Sequence, residues 1–215
     1  MSNVDHFIEE VTEEVRRDRL LLLMRRYGWI AILFAVLIVA GAATNEYLNA
    51  QERAKAEALG DEILAAVQVN DAAERANALA AITTDSAGKV VAMLQTAAEQ
   101  FNAEDNAAAM ATLSSIVNDE TIEKRFRDLA QFKLLSLSAA EMSIADRRRG
   151  YEALAVSAYR LLVEEQLALL AVEEGNTDDA LVMLRAILED NETSAGLRRR
   201  ASQLIVALGG TLGAA

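Results

Sequence analysis

The chain has 215 residues, a net charge of −12 and no cysteine, which excludes disulfides, thiolate metal sites and a cysteine nucleophile. Its acidity argues against nucleic acid as a partner, because like charge repels the phosphate backbone. The one histidine, His6, stands at the N-terminal end, so a Ser-His-Asp triad or a histidine zinc site has no place in the larger part of the chain.

Proline is absent, alanine is abundant, and no stretch alternates β-branched and aromatic residues with polar ones. These features predict an all-α fold. Taken in order, Phe7, Ile8, Val11 and Val15 have helical spacing. Glu9, Glu10, Glu13 and Glu14 precede Arg16, Arg17 and Arg19, a polarity that suits the helix dipole and permits an i,i+4 pair such as Glu13–Arg17. Residues 1–4 are expected to fray, and residues 1–26 to form an amphipathic juxtamembrane helix on the cytoplasmic side, with docking to a partner as the sharper alternative.

Residues 27–45 carry no charge and are long enough to cross a hydrocarbon core of about 30 Å as a helix. Arg25 and Arg26 stand just ahead of them, and Tyr27 and Trp29 occupy the level of an aromatic belt. A cleaved signal peptide, with Ala40-Gly41-Ala42 as its cleavage site, and a buried helix of a soluble protein are the competing readings. The acidic lead of residues 1–26 disfavours cleavage. Five arginines precede the span, while only Arg53 and Lys55 follow it closely, so the N-terminus is expected in the cytoplasm and residues 46–215 outside. That larger part carries 16 Lys and Arg against 27 Asp and Glu, net −11.

Residues 46–69 continue the helix without a breaker, through Tyr47, Ala54, Leu59, Ile63, Ala66 and Val67. Helices are then predicted over 71–83, 87–103, 105–118, 121–139, 145–155, 158–174, 177–190 and 194–209. Breaks fall at Asn70-Asp71, Asp85-Ser86, Asn118-Asp119 and Gly175-Asn176-Thr177, with Thr177 as a cap and Asp178 and Asp179 in the first turn. Gly209, Gly210 and Gly213 read as a frayed tail. Two internal offsets point to a repeat. Ala180, Leu184, Ile187 and Asp190 copy Ala109, Leu113, Ile116 and Asp119 at a distance of 71, and Leu79, Ile82 and Asp85 precede Leu113, Ile116 and Asp119 by 34. Spacings near 34 are those of tetratricopeptide-like helix pairs, which stack into a one-dimensional array. Glu104 stands where Gly175 marks the turn of the later pair.

The order of these parts resembles the membrane-anchored tetratricopeptide-like ancillary subunits of the bacterial Sec translocon. The residues concerned are the Phe-Ile-Glu-Glu-Val…Arg-Arg-Asp-Arg-Leu lead at 7–20, Arg-Arg-Tyr-Gly at 25–28, the span, and Glu-Glu-Gly-Asn-Thr-Asp-Asp-Ala…Gly-Leu-Arg-Arg-Arg-Ala-Ser-Gln-Leu at 173–204. The resemblance implies a single-pass inner-membrane protein with a periplasmic domain, linked to the translocon and periplasmic chaperones, without catalytic residues or cofactors.

Two basic triplets, Arg147-Arg148-Arg149 and Arg198-Arg199-Arg200, stand out in the acidic domain. They read as a solvated face paired with acids such as Asp146 and Glu152, or else as a contact for an acidic partner or lipid headgroups. Phe101, Phe126, Phe132, Tyr151 and Tyr159 have core-like spacing and read as packing residues rather than as a peptide groove. Paired carboxylates such as Glu164-Glu165 lack a histidine or phosphate loop beside them, so the expectation is a scaffold or adaptor and no enzyme. An accessory or assembly subunit of another inner-membrane complex, respiratory or photosynthetic, is the alternative.

Overall fold

The computed structural model describes residues 2–84 and 88–211, and side chains within that range except those of 2–25, 28 and 31. The break expected at Asp85-Ser86, the Gly213 tail and the Glu13–Arg17 pair therefore lie outside the described residues. Everything described is helix, turn or connection, with no strand. Contacts divide the chain into two units, Met1–Ala58 and Leu59–Ala215.

The first unit is helix alone. α1 runs from Ser2 to Val67 as 66 unbroken residues, so the fraying expected at the start is absent from Ser2 onward. Proline is missing and Gly41 and Gly60 meet nothing within 4 Å, so nothing in the sequence interrupts the hydrogen-bond ladder. Trp29, Ile32, Phe34, Leu37 and Val39 are all exposed. This is the one helix among the described residues long and apolar enough to cross a membrane.

The second unit begins where Ala66 becomes buried and Leu59, Ile63 and Val67 half-buried, whereas Tyr47 and Ala54 are exposed rather than part of a continuous packed face. Among the described residues eight further α-helices follow: α2 (Ala72–Ala80), α3 (Lys89–Asn102), α4 (Asn106–Asn118), α5 (Lys124–Leu137), α6 (Ile144–Ala153), α7 (Arg160–Glu173), α8 (Thr177–Glu189) and α9 (Ala195–Ala207). Side-chain oxygens of Asp71, Asp105, Ser143 and Ser194 accept from the first-turn amides of α2, α4, α6 and α9. Thr177 is not a cap. It is the first residue of α8, and Asn176 precedes it without a side-chain cap bond. The start expected at residue 121 is delayed to Lys124, because the Asp119 carboxylate accepts from the Thr121 amide at 2.9 Å and its hydroxyl at 2.6 Å, a turn that competes with the helix. Those bonds hold the Asp119 carboxyl below its usual range. Asp190 repeats the arrangement with the Glu192 amide at 2.8 Å.

The 71-residue offset is a structural duplication. α3, α4 and α5 start at 89, 106 and 124, and α7, α8 and α9 at 160, 177 and 195. Ala97, Leu113, Ile116 and Ala130 form the core of the first copy, and Ala168, Leu184, Ile187 and Ala201 that of the second. Leu135, Tyr151, Leu154, Val163 and Leu170 join the copies through α6. The turn between the first two helices of each copy is also the same. Ala103, Glu104 and Asp105 donate to Glu99, Phe101 and Gln100, and Glu174, Gly175 and Asn176 donate to Leu170, Val172 and Ala171. Glu104 adopts φ +63° to do so, where Gly175 adopts +84°. Gly209, at φ +77°, closes α9 with the same pattern, and a Cβ on Gly210 would stand 2.7 Å from Leu181. Gly209 and Gly210 are thus a packed cap and no frayed tail.

The extensive helix contacts are all between sequence neighbours. At the start of the second unit, Arg75 ties layers together: its Nη1 donates to the carbonyls of Val69 (3.0 Å) and Asn70 (2.8 Å), and its Nε to buried Glu99 at 2.7 Å.

Candidate functional site

The second unit carries two hollows that meet at Phe132, one lined mainly by α3 and α5 and the other mainly by α7 and α9. The first, about 330 Å³, is lined by Leu94, Ala97 and Phe101 of α3 and by Phe132, Lys133 and Ser136 of α5. The second, about 630 Å³, is lined by Glu165, Gln166 and Leu169 of α7 and by Arg200, Gln203 and Leu204 of α9. Phe132 borders both. Both volumes are in the range of ligand-binding clefts. Leu94, Ala98, Phe132, Lys133 and Ser136 of the first correspond, 71 residues on, to Glu165, Leu169, Gln203, Leu204 and Ala207 of the second.

Phe101 corrects the packing expectation, whereas Phe132 packs against the core as expected and lines a hollow as well. Phe101 is 49% exposed and lines the first hollow, and Phe132 lies edge-on to Tyr151 with ring centroids 5.8 Å apart while facing both hollows. Tyr151 is buried, and burial pushes its phenol up. Phe126 packs against the core of the first copy. Tyr159 is half-buried beside Arg160, at the foot of a smaller hollow.

The basic triplets are mostly committed to ion pairs. Arg149 pairs with Asp146, as expected, but Arg147 and Arg148 reach across to Glu173 and Glu174 at the end of α7, and Glu152 takes no part. The Glu173 carboxylate raises the affinity of Arg147 for its proton. Asp146 is held low by hydrogen bonds from Ser143 and Arg149. Arg198 donates to the carbonyls of Leu188 and Asp190 that end α8. Arg200 grips Glu165 through Nε and Nη2, each at 2.7 Å. Arg199 alone of the six has no partner among the described residues. The triplets thus form no joint surface; four of the six arginines fasten one helix to another, Arg149 pairs within α6, and only Arg200 lines the groove.

At the anchor, Tyr27 and Trp29 are exposed and the Arg26 guanidinium lies 5.9 Å from the centre of the Tyr27 ring. The side chain of Arg25 lies outside those described. Tyr47 is also exposed, 20 residues beyond Tyr27, which at 1.5 Å per residue is about 30 Å along the helix. Sequence reading placed no aromatic residue at the far end of the span. Among the described residues no three His, Cys, Asp or Glu side chains converge as a metal site. Compared with family models, curated proteins and solved structures, the chain finds no match in any of the three.

Proposed function

We propose that the protein is a membrane-anchored adaptor: α1 crosses the bacterial inner membrane once, with the N-terminus in the cytoplasm, and residues 46–215 form a tetratricopeptide-like solenoid in the periplasm that binds protein segments. The observation that carries this reading is the groove along α3, α5, α7 and α9, in a chain whose N-terminal helix leaves its apolar side chains uncovered. Alternate helices start 33 to 38 residues apart, close to the tetratricopeptide period. Stacked helix pairs offer such surfaces for extended contact. The spacing of Tyr27 and Tyr47 fits two interfacial belts, and the arginines ahead of the span favour the stated orientation.

A tether acts through effective concentration. A surface of modest affinity becomes occupied when client and binder are confined to the same membrane region. We place that region at the Sec translocon, with exported chains and periplasmic chaperones as partners, on the resemblance of the lead, span and tail. A photo-crosslinker at Phe101 in intact membranes tests this, with adducts to the channel, its chaperones or emerging chains expected. Adducts confined to a respiratory or photosynthetic complex would instead establish the accessory-subunit alternative. A reporter fused after Ala215 tests orientation: activity only in the cytosol refutes it.

A further inference from the structure

The two hollows share a backbone plan and are both mainly apolar, but they differ in where charge stands. Where the second has Glu165 and Gln203, the first has Leu94 and Phe132 at the same offset. The second hollow therefore holds an ion pair in its lining, and the first has Lys133 instead.

The charges within the groove are uneven. Glu165 is the only carboxylate among the lining residues, and both its oxygens are engaged by Arg200. Arg200 is 51% exposed in its side chain, and its Nη1 makes no hydrogen bond. Lys133, which lines the first hollow, is exposed and has no partner among the described residues. The four lining helices together carry nine Lys and Arg against five Asp and Glu, net +4, inside a segment of net −11. Positive charge is thus concentrated on the helices that build the groove, against the trend of the domain. A basic ligand would meet an unpaired lysine and a carboxylate already satisfied. An acidic one gains charge-assisted hydrogen bonds from Lys133 and from the free edge of Arg200.

We propose that the groove takes an extended polypeptide segment in which aliphatic or aromatic residues stand beside acidic ones. The apolar side chains lie over Leu94, Ala97, Phe101 and Phe132, and the carboxylates meet Lys133 and Arg200. This rests on the adaptor reading and specifies its ligand.

The test uses the full chain in lipid nanodiscs and fluorescence anisotropy with labelled peptides. One peptide has a block of Leu and Phe followed by Asp and Glu, a second replaces the acids by Lys, and a third keeps the acids without the apolar block. The first binds about tenfold tighter than either of the others. Lys133→Glu, at an exposed position, removes most of that preference without changing the circular dichroism spectrum. The double variant Glu165→Leu/Arg200→Met, which leaves no buried charge unpaired, weakens the first peptide severalfold. Equal binding of the lysine peptide, or indifference to Lys133→Glu, overturns the proposal. So does a preference for anionic vesicles over every peptide, or displacement of the peptide by a second copy of the chain. If no peptide binds while the Phe101 crosslinks persist, this proposal falls and the adaptor reading stands; if the crosslinks fail as well, both fall.

Discussion

Glu104 offers the sharpest quantitative check on the duplicated turn. It holds φ +63° in a bonding pattern that its counterpart Gly175 satisfies at +84°. An L-residue in that region costs about 1–2 kcal/mol because its Cβ crowds the backbone. The Glu104 side chain is exposed and makes no hydrogen bond among the described residues, so Glu104→Gly forfeits no side-chain contact and keeps the backbone bond to Phe101. Glycine costs about 0.5–1 kcal/mol of additional unfolded-state entropy. The difference is a stabilisation of about 0.5–1 kcal/mol, which at about 2–4 °C per kcal/mol in a domain of this size raises the transition by about 1–4 °C. Gly175→Ala should lose a similar amount through φ alone, since nothing lies within 4 Å of the new Cβ. Differential scanning calorimetry of the full chain in detergent micelles reads both. Should Glu104→Gly leave the transition unmoved or lower it while Gly175→Ala lowers it, the two turns are not equivalent and the argument from strain is refuted.

Arg75→Ala strands the buried Glu99 carboxylate and should cost about 3 kcal/mol in urea unfolding, most of it recovered in Arg75→Met/Glu99→Leu; an equally unstable double variant would show that the pair is not the cause. For Glu99, burial raises the carboxyl pKa, but hydrogen bonds from Arg75, Asn102 and Gln95 and the Arg75 charge outweigh it, so the folded value lies below the ordinary 4.5. The unfolded chain then binds more protons, so this stability is complete above pH 4.5 and is lost as pH falls through the depressed folded value. Glu99→Gln should flatten that part of the acid-unfolding profile. Gly150→Ala would place a Cβ 2.5 Å from buried Leu135; overpacking of about 1–3 kcal/mol, partly offset by about 1 kcal/mol of helix propensity, predicts a lower melting temperature. Leu37→Arg at mid-span adds about 3 kcal/mol to insertion and should shift protein into the carbonate-washed fraction, whereas unchanged retention would argue against the anchor.

Helix boundaries and the duplication could be read from the sequence because both depend on local spacing. Ala109, Leu113 and Ile116 recur as Ala180, Leu184 and Ile187, and all six are buried. The groove could not be read in this way. Phe101 and Phe132 face a concavity at the same i,i+3 and i,i+4 intervals that face a core, and only the packing of the helices distinguishes the two. The arginine triplets show the same limit. Arg149–Asp146 is three residues apart and was foreseen, whereas Arg147–Glu173 and Arg200–Glu165 span 26 and 35 residues and depend on the stacking itself. α8 starts at residue 177 as the spacing predicts, but its cap position is Asn176 and not Thr177, since Asn and Thr are both good residues before a helix.

The preference of each helix for its neighbours in the chain has a consequence for how the domain is made. Low contact order shortens the loops that must close before packing is rewarded, which makes folding fast. A chain made from its N-terminus onward can therefore set down α2 on α3 and α3 on α4 while its later residues are still being added. Leu113 and Ile116 find their packing partners before Leu184 and Ile187 exist, so the domain can mature one layer at a time during synthesis.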